Sequence, residues 1–472
     1  MSDVLSSPTW NRRQAVLMIA VAAAAAFLAT FNETFLNVAL NPIMDHFGVT
    51  VGTVQWLTTG YLLVAAVFVP VSNVLYRRYS TRPLFVVTVA FLVAGSVVGA
   101  LAPSFEVLLL GRLLQAVGTG LLVPIGMNVA LAVAPRHKLG LVMGVMAAMT
   151  TLGPSVAIVA SGALLTVASW ATLMWVFGGL AVAVMLAGAL FLRNVSVLSR
   201  PRLDVLSFLL VAGALSGLLY GVSTVFEGSL LVALCAVVIG AVLLVLFVVR
   251  QKRIPNPLID LRPFSSQAFV VGVVMTMLGL VFVFAMNVVI PIFLQTSKEL
   301  TPLGASLALA PGILLTVAMG PIAGRLFDRS GGGAMIPVGY IVMAAFSLLV
   351  GWAAAGPSVL LLALLYIPAV LSTAFVIGPA QTFALAGLDR ETGPHGVTIL
   401  STSFQVAGCV GTSFGIGVYG ALHQFGLGRG QGVADASLLG FQGAVLLVVL
   451  TSIIGVVLAI RAARMNRRSV AG

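Results

Sequence analysis

The sequence predicts an all-α membrane protein of fourteen transmembrane helices. Three observations carry that expectation. Hydrophobic residues make up 60% of the 472-residue chain and charged ones only 8%, against about a quarter charged in a typical soluble domain. Apolar runs of about 20 residues, long enough to cross ~30 Å of hydrocarbon, recur along nearly the whole chain. The basic residues between those runs fall almost entirely on one side.

The expected spans are 14–40, 53–76, 83–102, 106–134, 140–166, 171–192, 205–222, 230–249, 268–294, 304–327, 334–355, 359–385, 397–421 and 441–460. Each run is too long for a barrel strand and lacks period-two alternation, so helix is the remaining way to satisfy a backbone in lipid. The breaks are short and rich in Gly, Pro or charge. Arg12-Arg13 before an apolar run has the form of a twin-arginine leader. The run continues to full membrane length, so it reads as the first span with its positive anchors.

The net charge of +12 does not point to nucleic acid, because its carriers sit in loops. With the N-terminus inside, all Lys and Arg except Arg112, Lys298 and Arg429 fall at the cytoplasmic face. These include Arg77, Arg78, Arg200, Arg202, Arg329 and Arg390. A miscounted helix would scatter them over both sides. The expected protein is multi-pass in a bacterial cytoplasmic membrane with both termini cytoplasmic.

Basic linkers at 193–204 and 250–267 bracket spans 7 and 8. The expected organisation is an N-terminal six-helix bundle (1–204), an inserted pair with its linker (205–267), and a C-terminal six-helix bundle with its tail (268–472). Paired six-helix halves are a common way to build a midplane site that two bundles expose alternately. Asn73 to Arg82 after the second span and Gly324 to Gly333 after the tenth share position and basic character.

Four stretches then resemble the major facilitator superfamily, in particular its fourteen-helix drug:proton antiporter branch. They are Gly324-Arg325-Leu326-Phe327-Asp328-Arg329-Ser330-Gly331, the Gly111–Gly120 stretch built on Arg112 and Gln115, Phe31–Leu40, and Gln55–Tyr61. The resemblance covers essentially the whole chain, and Asn32-Glu33-Thr34 is similar to the lincomycin-resistance type. It implies the major facilitator fold and export of drugs, antibiotics or dyes in exchange for protons by alternating access. The chain also departs from the pattern. Asn32 stands where the branch has an acid, which is displaced to Glu33. Asn73 and Arg77 replace the glycine and acid of the N-terminal loop motif. The resemblance therefore implies that the latch formed by that acid is weaker here, or is carried by Asp328. In the antiporter motif of span 5, Gly153-Pro154 is kept, whereas Ala157 and Ile158 replace glycine or proline.

Glu33 is the one acid well within a span, where an ionised side chain costs at least ~2.5 kcal/mol. Counted at ~1.5 Å per residue, Glu33 and Arg112 lie at similar depth, near ~10 Å below the outer surface. In hydrocarbon, desolvation favours a neutral carboxyl and a facing cation favours an ionised one. Glu33 with Arg112 is thus the candidate proton-coupling pair, the alternative being a static pair that fixes packing. A single such acid suggests one proton per cycle and neutral or monocationic cargo.

Candidate substrate contacts are Asn32, Asn37, Gln55, Tyr61, Gln115, Asn128, Asn287, Gln381 and Gln405; the alternative for each is an interhelical hydrogen bond. Gly153 and Pro154 are expected to bend span 5, and Arg77, Arg78, Asp328 and Arg329 to act in the conformational change. Gly408, Gly411 and Gly415 are expected to allow tight helix contact. Cys235 and Cys409 are expected to be small core residues. His46, His137, His395 and His423 are expected to be solvated loop residues without metal-ligand grouping. No phosphate-binding loop ending in Lys-Ser or Lys-Thr is present. The expected partners are a small-molecule substrate, protons and the bilayer, with no nucleic acid and no cofactor, and the chain is expected to act as a monomer without enzymatic activity. An exporter of an endogenous metabolite or lipid, or a non-transporting membrane sensor, are the alternatives.

Overall fold

In lipid no water satisfies a bare peptide group, so these apolar runs must close their own hydrogen bonds. The computed structural model describes residues 11–196, 198–199, 204–225, 230–255, 257–389 and 391–471. Among them there is no strand, and fourteen helices are long and apolar enough to span a bilayer. They are α1 (Arg12–Phe47), α2 (Trp56–Arg78), α3 (Thr81–Ala100), α4 (Phe105–Val133), α5 (Leu139–Leu165), α6 (Trp170–Phe191) and α7 (Val205–Thr224). The others are α8 (Leu230–Arg253), α9 (Gln267–Ser297), α10 (Leu303–Ser330), α11 (Met335–Ala353), α12 (Val359–Leu385), α13 (Gly393–Gly428) and α14 (Val433–Arg464). Arg200, Arg202 and Arg390 lie outside the described residues.

Several helices outrun the apolar segments that announce them. α13 extends past 397–421 at both ends and α1 continues to Phe47. Hydropathy registers the hydrocarbon thickness, whereas a helix continues through the polar interface as long as its backbone bonds hold. Arg77 and Arg78, Arg250, Lys252 and Arg253, and Arg329 stand in the last turns of α2, α8 and α10, at one end of the helix bundle. This is the basic face.

The central helices are α4 and α9, whose apolar windows are 83% and 78% buried, against 17% in α8. Outward-facing positions on α8 such as Leu231, Val238 and Val245 therefore face lipid. So does Cys235, which is exposed rather than a core residue; in a wholly apolar span, composition does not separate lipid-facing from core positions. Cys409 is partly buried and donates to Leu219 O at 3.4 Å, linking α13 to α7. α7 and α8 pack on each other, and α7 also touches α2 and α13. Arg250 clamps Asp204 at 2.7 Å and 2.9 Å, and its hydrogen bond holds the Asp204 carboxyl down at about 2.

Two small-residue seams set helix spacing. On α13, a Cβ at Gly411 would lie 2.8 Å from Val281 O of α9. Between α5 and α10, a Cβ at Gly324 would lie 2.2 Å from Gly140 O, and one at Gly144 2.4 Å from Gly320 O. Backbone cannot yield as a flexible side chain does, so Gly324→Val is expected to pry this seam apart at a cost of about 1–3 kcal/mol. Spin labels at Lys138→Cys and Arg329→Cys, both exposed positions, should then move apart. An unchanged distance would show that the seam has room for a side chain.

Candidate functional site

Glu33 stands at the end of the regular part of α1: the chain tightens into a 3-10 helix over Phe35–Ala39. Its side chain is 4% exposed, and Oε2 has no hydrogen-bond partner. Beside it, Asn32 faces Arg112 of α4, which is wholly buried. Nη1 of Arg112 donates to Asn32 O at 3.1 Å, to Asn32 Oδ1 at 3.0 Å and to Gln115 Oε1 at 2.9 Å. Nε donates to Leu57 O at 3.4 Å, and Nη2 is unpartnered. The guanidinium lies 4.1 Å from the Tyr61 ring centroid and 5.4 Å from that of Phe35, within cation–π range.

No ion pair joins Glu33 to Arg112 among the described residues. Similar depth places both in one cluster, but Asn32, Gln115 and Leu57 take the bonds of Nη1 and Nε, and neither Nη2 nor Glu33 Oε2 meets a partner. Thr119 extends the cluster by accepting from Tyr61 Oη at 2.6 Å and from Asn32 Nδ2 at 3.3 Å. Gln115 Nε2 donates to Ser96 Oγ at 2.9 Å. Thr119 and Ser96 were not anticipated. The signal for Thr119 was its spacing, since residues 112, 115 and 119 share one face of a helix.

The other candidates divide by place. Asn128 on α4 and Gln405 on α13 are buried, with Nδ2 and Oε1 respectively lacking a partner. Their helices meet where Ser401 Oγ lies 3.7 Å from Met127 Sδ. Gln381 is buried on α12 and Asn287 half-buried on α9. Gln55 is exposed at the start of α2, and exposed Asn37 accepts from Thr58 Oγ1 at 2.9 Å. On the face of α1 that carries Phe31 and Phe35, a groove of about 390 Å³ is lined by these two, Phe177 and Ser161, among others. The Phe31 and Phe35 rings each stack on Phe177, at 6.2 Å and 5.1 Å, and buried Ser161 Oγ has no partner.

At the basic face two cross-links join the chain's halves. In the last turn of α10, Asp328 accepts from Gly140 N at 2.7 Å and Leu141 N at 2.9 Å. These are unpaired donors of the first turn of α5, where a negative charge is also favoured. Arg77, near the end of α2, donates to Ser199 Oγ at 3.2 Å and faces His395 Nε2 at 2.9 Å. His395 is therefore not a solvated loop residue. It is 2% exposed in the first turn of α13, because the 257–260 segment folds across it and Asp260 N donates to its Nδ1 at 2.9 Å. His46 and His137 are exposed; His423 is half-buried and stacks on Tyr419 at 5.9 Å. Arg78 and Arg329 are exposed.

The family model of the Major Facilitator Superfamily matches residues 22–415. The chain belongs to this superfamily. Among its relatives, the lincomycin resistance protein LmrB of Listeria monocytogenes is 34% identical over 439 residues, covering 91% of this chain and 93% of that protein. LmrB of Bacillus subtilis is 33% identical over 443 residues, covering 92% of each. A multidrug resistance protein B homolog of Mycobacterium tuberculosis is 29% identical over 407 residues, covering 82% and 73%. Among solved structures, the human organic anion transporter MFSD10 (TETRAN) superposes with a TM-score of 0.65 at 14% identity, covering 94% of this chain and 99% of that one. The proton:xylose symporter XylE bound to 6-bromo-6-deoxy-D-glucose gives 0.59 at 15% identity, covering 93% and 95%. These likenesses show the major facilitator fold, carried here on fourteen candidate spanning helices.

Within this superfamily fold, Gly153-Pro154 sits where α5 crosses α1. A Cβ at Gly153 would fall 2.0 Å from Thr30 Oγ1, and Thr34 Oγ1 donates to Pro154 O at 3.4 Å. The pair thus fixes the approach of α5 to the helix that carries Glu33. Among the described residues no three His, Cys, Asp or Glu side chains group as metal ligands.

Proposed function

We propose that this transporter exports small amphipathic compounds across the cytoplasmic membrane in exchange for protons. The observation that carries the reading is Glu33, a carboxyl buried among apolar helices with one oxygen unpartnered, in the same cluster as Arg112. A buried carboxyl without a fixed partner exchanges a proton at lower structural cost than one locked in an ion pair. Proton and cargo compete for it, and each species binds when the other has left.

The groove supports an amphipathic cargo: Phe31, Phe35 and Phe177 offer an apolar wall, and the orphaned hydroxyl of Ser161 offers a hydrogen bond. The relatives carry names for resistance to lincomycin and to multiple drugs. One intramembrane acid supports one proton per cycle and neutral or monocationic cargo. The basic face is assigned to the cytoplasm by its arginines. Asp328 bound to the start of α5 supports a reading in which this state is closed to the cytoplasm and the two halves rock as a monomer.

Inverted vesicles with an acid interior test the reading with a panel of dyes and antibiotics, lincomycin included. At least one should accumulate, and a protonophore should abolish the accumulation. Uptake of the whole panel that ignores the gradient would sink proton coupling.

A further inference from the structure

The two cross-links at the basic face occupy matching places in the two halves. Arg77 stands in the last turn of α2 where Asp328 stands in the last turn of α10. They differ in chemical fit. Asp328 offers two acceptor oxygens to two N–H groups, and every partner is satisfied. At His395 the count fails. Asp260 N–H points at Nδ1 at 2.9 Å and Arg77 Nη1 points at Nε2 at 2.9 Å. Both are obligate donors, and a neutral imidazole has one acceptor nitrogen. Either tautomer therefore sets one donor against an N–H; a protonated ring sets both, and adds like-charge repulsion from Arg77.

No neighbouring acid hydrogen-bonds to the ring; Asp260 and Glu391 act on it only through space, against Arg77 and Arg262. Asp260 is engaged by Arg262, which donates to it from N at 2.8 Å and from Nε at 2.6 Å. Burial works against ionisation of Asp260, yet these bonds outweigh it and hold its carboxyl below the usual range. Glu391, the other nearby acid, also accepts from Arg262, at 3.0 Å. On α2, Asn73 approaches Nδ1 through Nδ2 at 2.9 Å, and its Oδ1 is unpartnered. The groups facing His395 among the described residues are thus two arginines, two acids already taken by one of them, an amide and a peptide N–H.

We propose that His395 is a proton-operated latch: the closed basic face admits only its neutral imidazole between α2, α13 and the 257–260 segment, and protonation releases that closure. The sign follows from linkage. The closed form binds fewer protons at this site than the open one, so acid favours opening. An imidazole freed into water titrates at about pH 6.5, so the response belongs below that value and is at most about tenfold in the open-to-closed ratio per pH unit. A proton arriving at this face then favours the conformation that next takes up cargo. The inference rests on the two halves rocking and not on Glu33 carrying the proton.

The test uses the full-length protein in nanodiscs, with Cys235→Ala and Cys409→Ala and spin labels at Arg82→Cys and Asp389→Cys, both exposed. No cargo or gradient is present, so failure here leaves the transport reading intact. Going from about pH 8 to about pH 5.5, through the range of a free imidazole, the long-distance population should grow reversibly. His395→Gln keeps the ring's neutrality without its titration and should flatten the response. Arg77→Asp should invert it, since a protonated His395 then meets a carboxylate. If Arg77→Asp fails to fold, Arg77→Gln should weaken the response at least twofold. A pH response in His395→Gln equal to the parent's, or one of unchanged sign and size in the Arg77 variants, would overturn the proposal.

Discussion

Glu33→Gln is expected to abolish gradient-driven accumulation, at least tenfold below the parent, while insertion and folding survive. Gln has the same shape and cannot titrate. Its insertion is easier, because the cost of an ionised side chain in hydrocarbon, ~2.5 kcal/mol or more, no longer arises. Oε2 has no partner to lose, so the change disrupts no hydrogen bond to that oxygen. The variant should still exchange labelled for unlabelled cargo without a gradient, because rocking and binding remain. Loss of accumulation with retained exchange isolates coupling from binding. Concentrative uptake matching the parent would remove Glu33 from the mechanism.

The architecture was legible because lipid leaves few options. A chain with 60% hydrophobic residues, broken every twenty or so residues by charge, folds into spanning helices. Glu33 and Arg112 were legible for the same reason, since charge in such runs is conspicuous. Their actual contacts were not. Counting residues along a helix gives height in the membrane but not direction around the axis, so Asn32 was not seen as the group that holds Arg112. The tightening of α1 at Phe35 carries no Pro or Gly to announce it. His395 was misplaced because its burial depends on the 257–260 segment returning over α13, a long-range fold with no local pattern. Asp328 was read through a motif, and its partners Gly140 and Leu141 are backbone donors that a side-chain search passes over.

Arg112→Ala is expected to lower transport by more than tenfold with a smaller loss of membrane-inserted protein, and Arg112→Lys is expected not to restore it. The guanidinium serves four acceptors on three helices: Leu57 O, Asn32 O, Asn32 Oδ1 and Gln115 Oε1. Interhelical hydrogen bonds in membranes average only ~0.6 kcal/mol each, so their removal weakens packing without unfolding fourteen helices. The consequence for the site is larger. Asn32 precedes Glu33, and the bonds to Asn32 fix that stretch of α1 just before its helix tightens. Lysine keeps the charge but lacks the planar fork that reaches several acceptors and stacks on Tyr61 and Phe35. If Arg112 acts only as a nearby positive charge, Lys should work nearly as well as Arg. If it acts by positioning α1, Lys should resemble Ala. Full rescue by Arg112→Lys would reduce the role to charge alone, and ordinary transport by Arg112→Ala would leave the buried cluster a packing device.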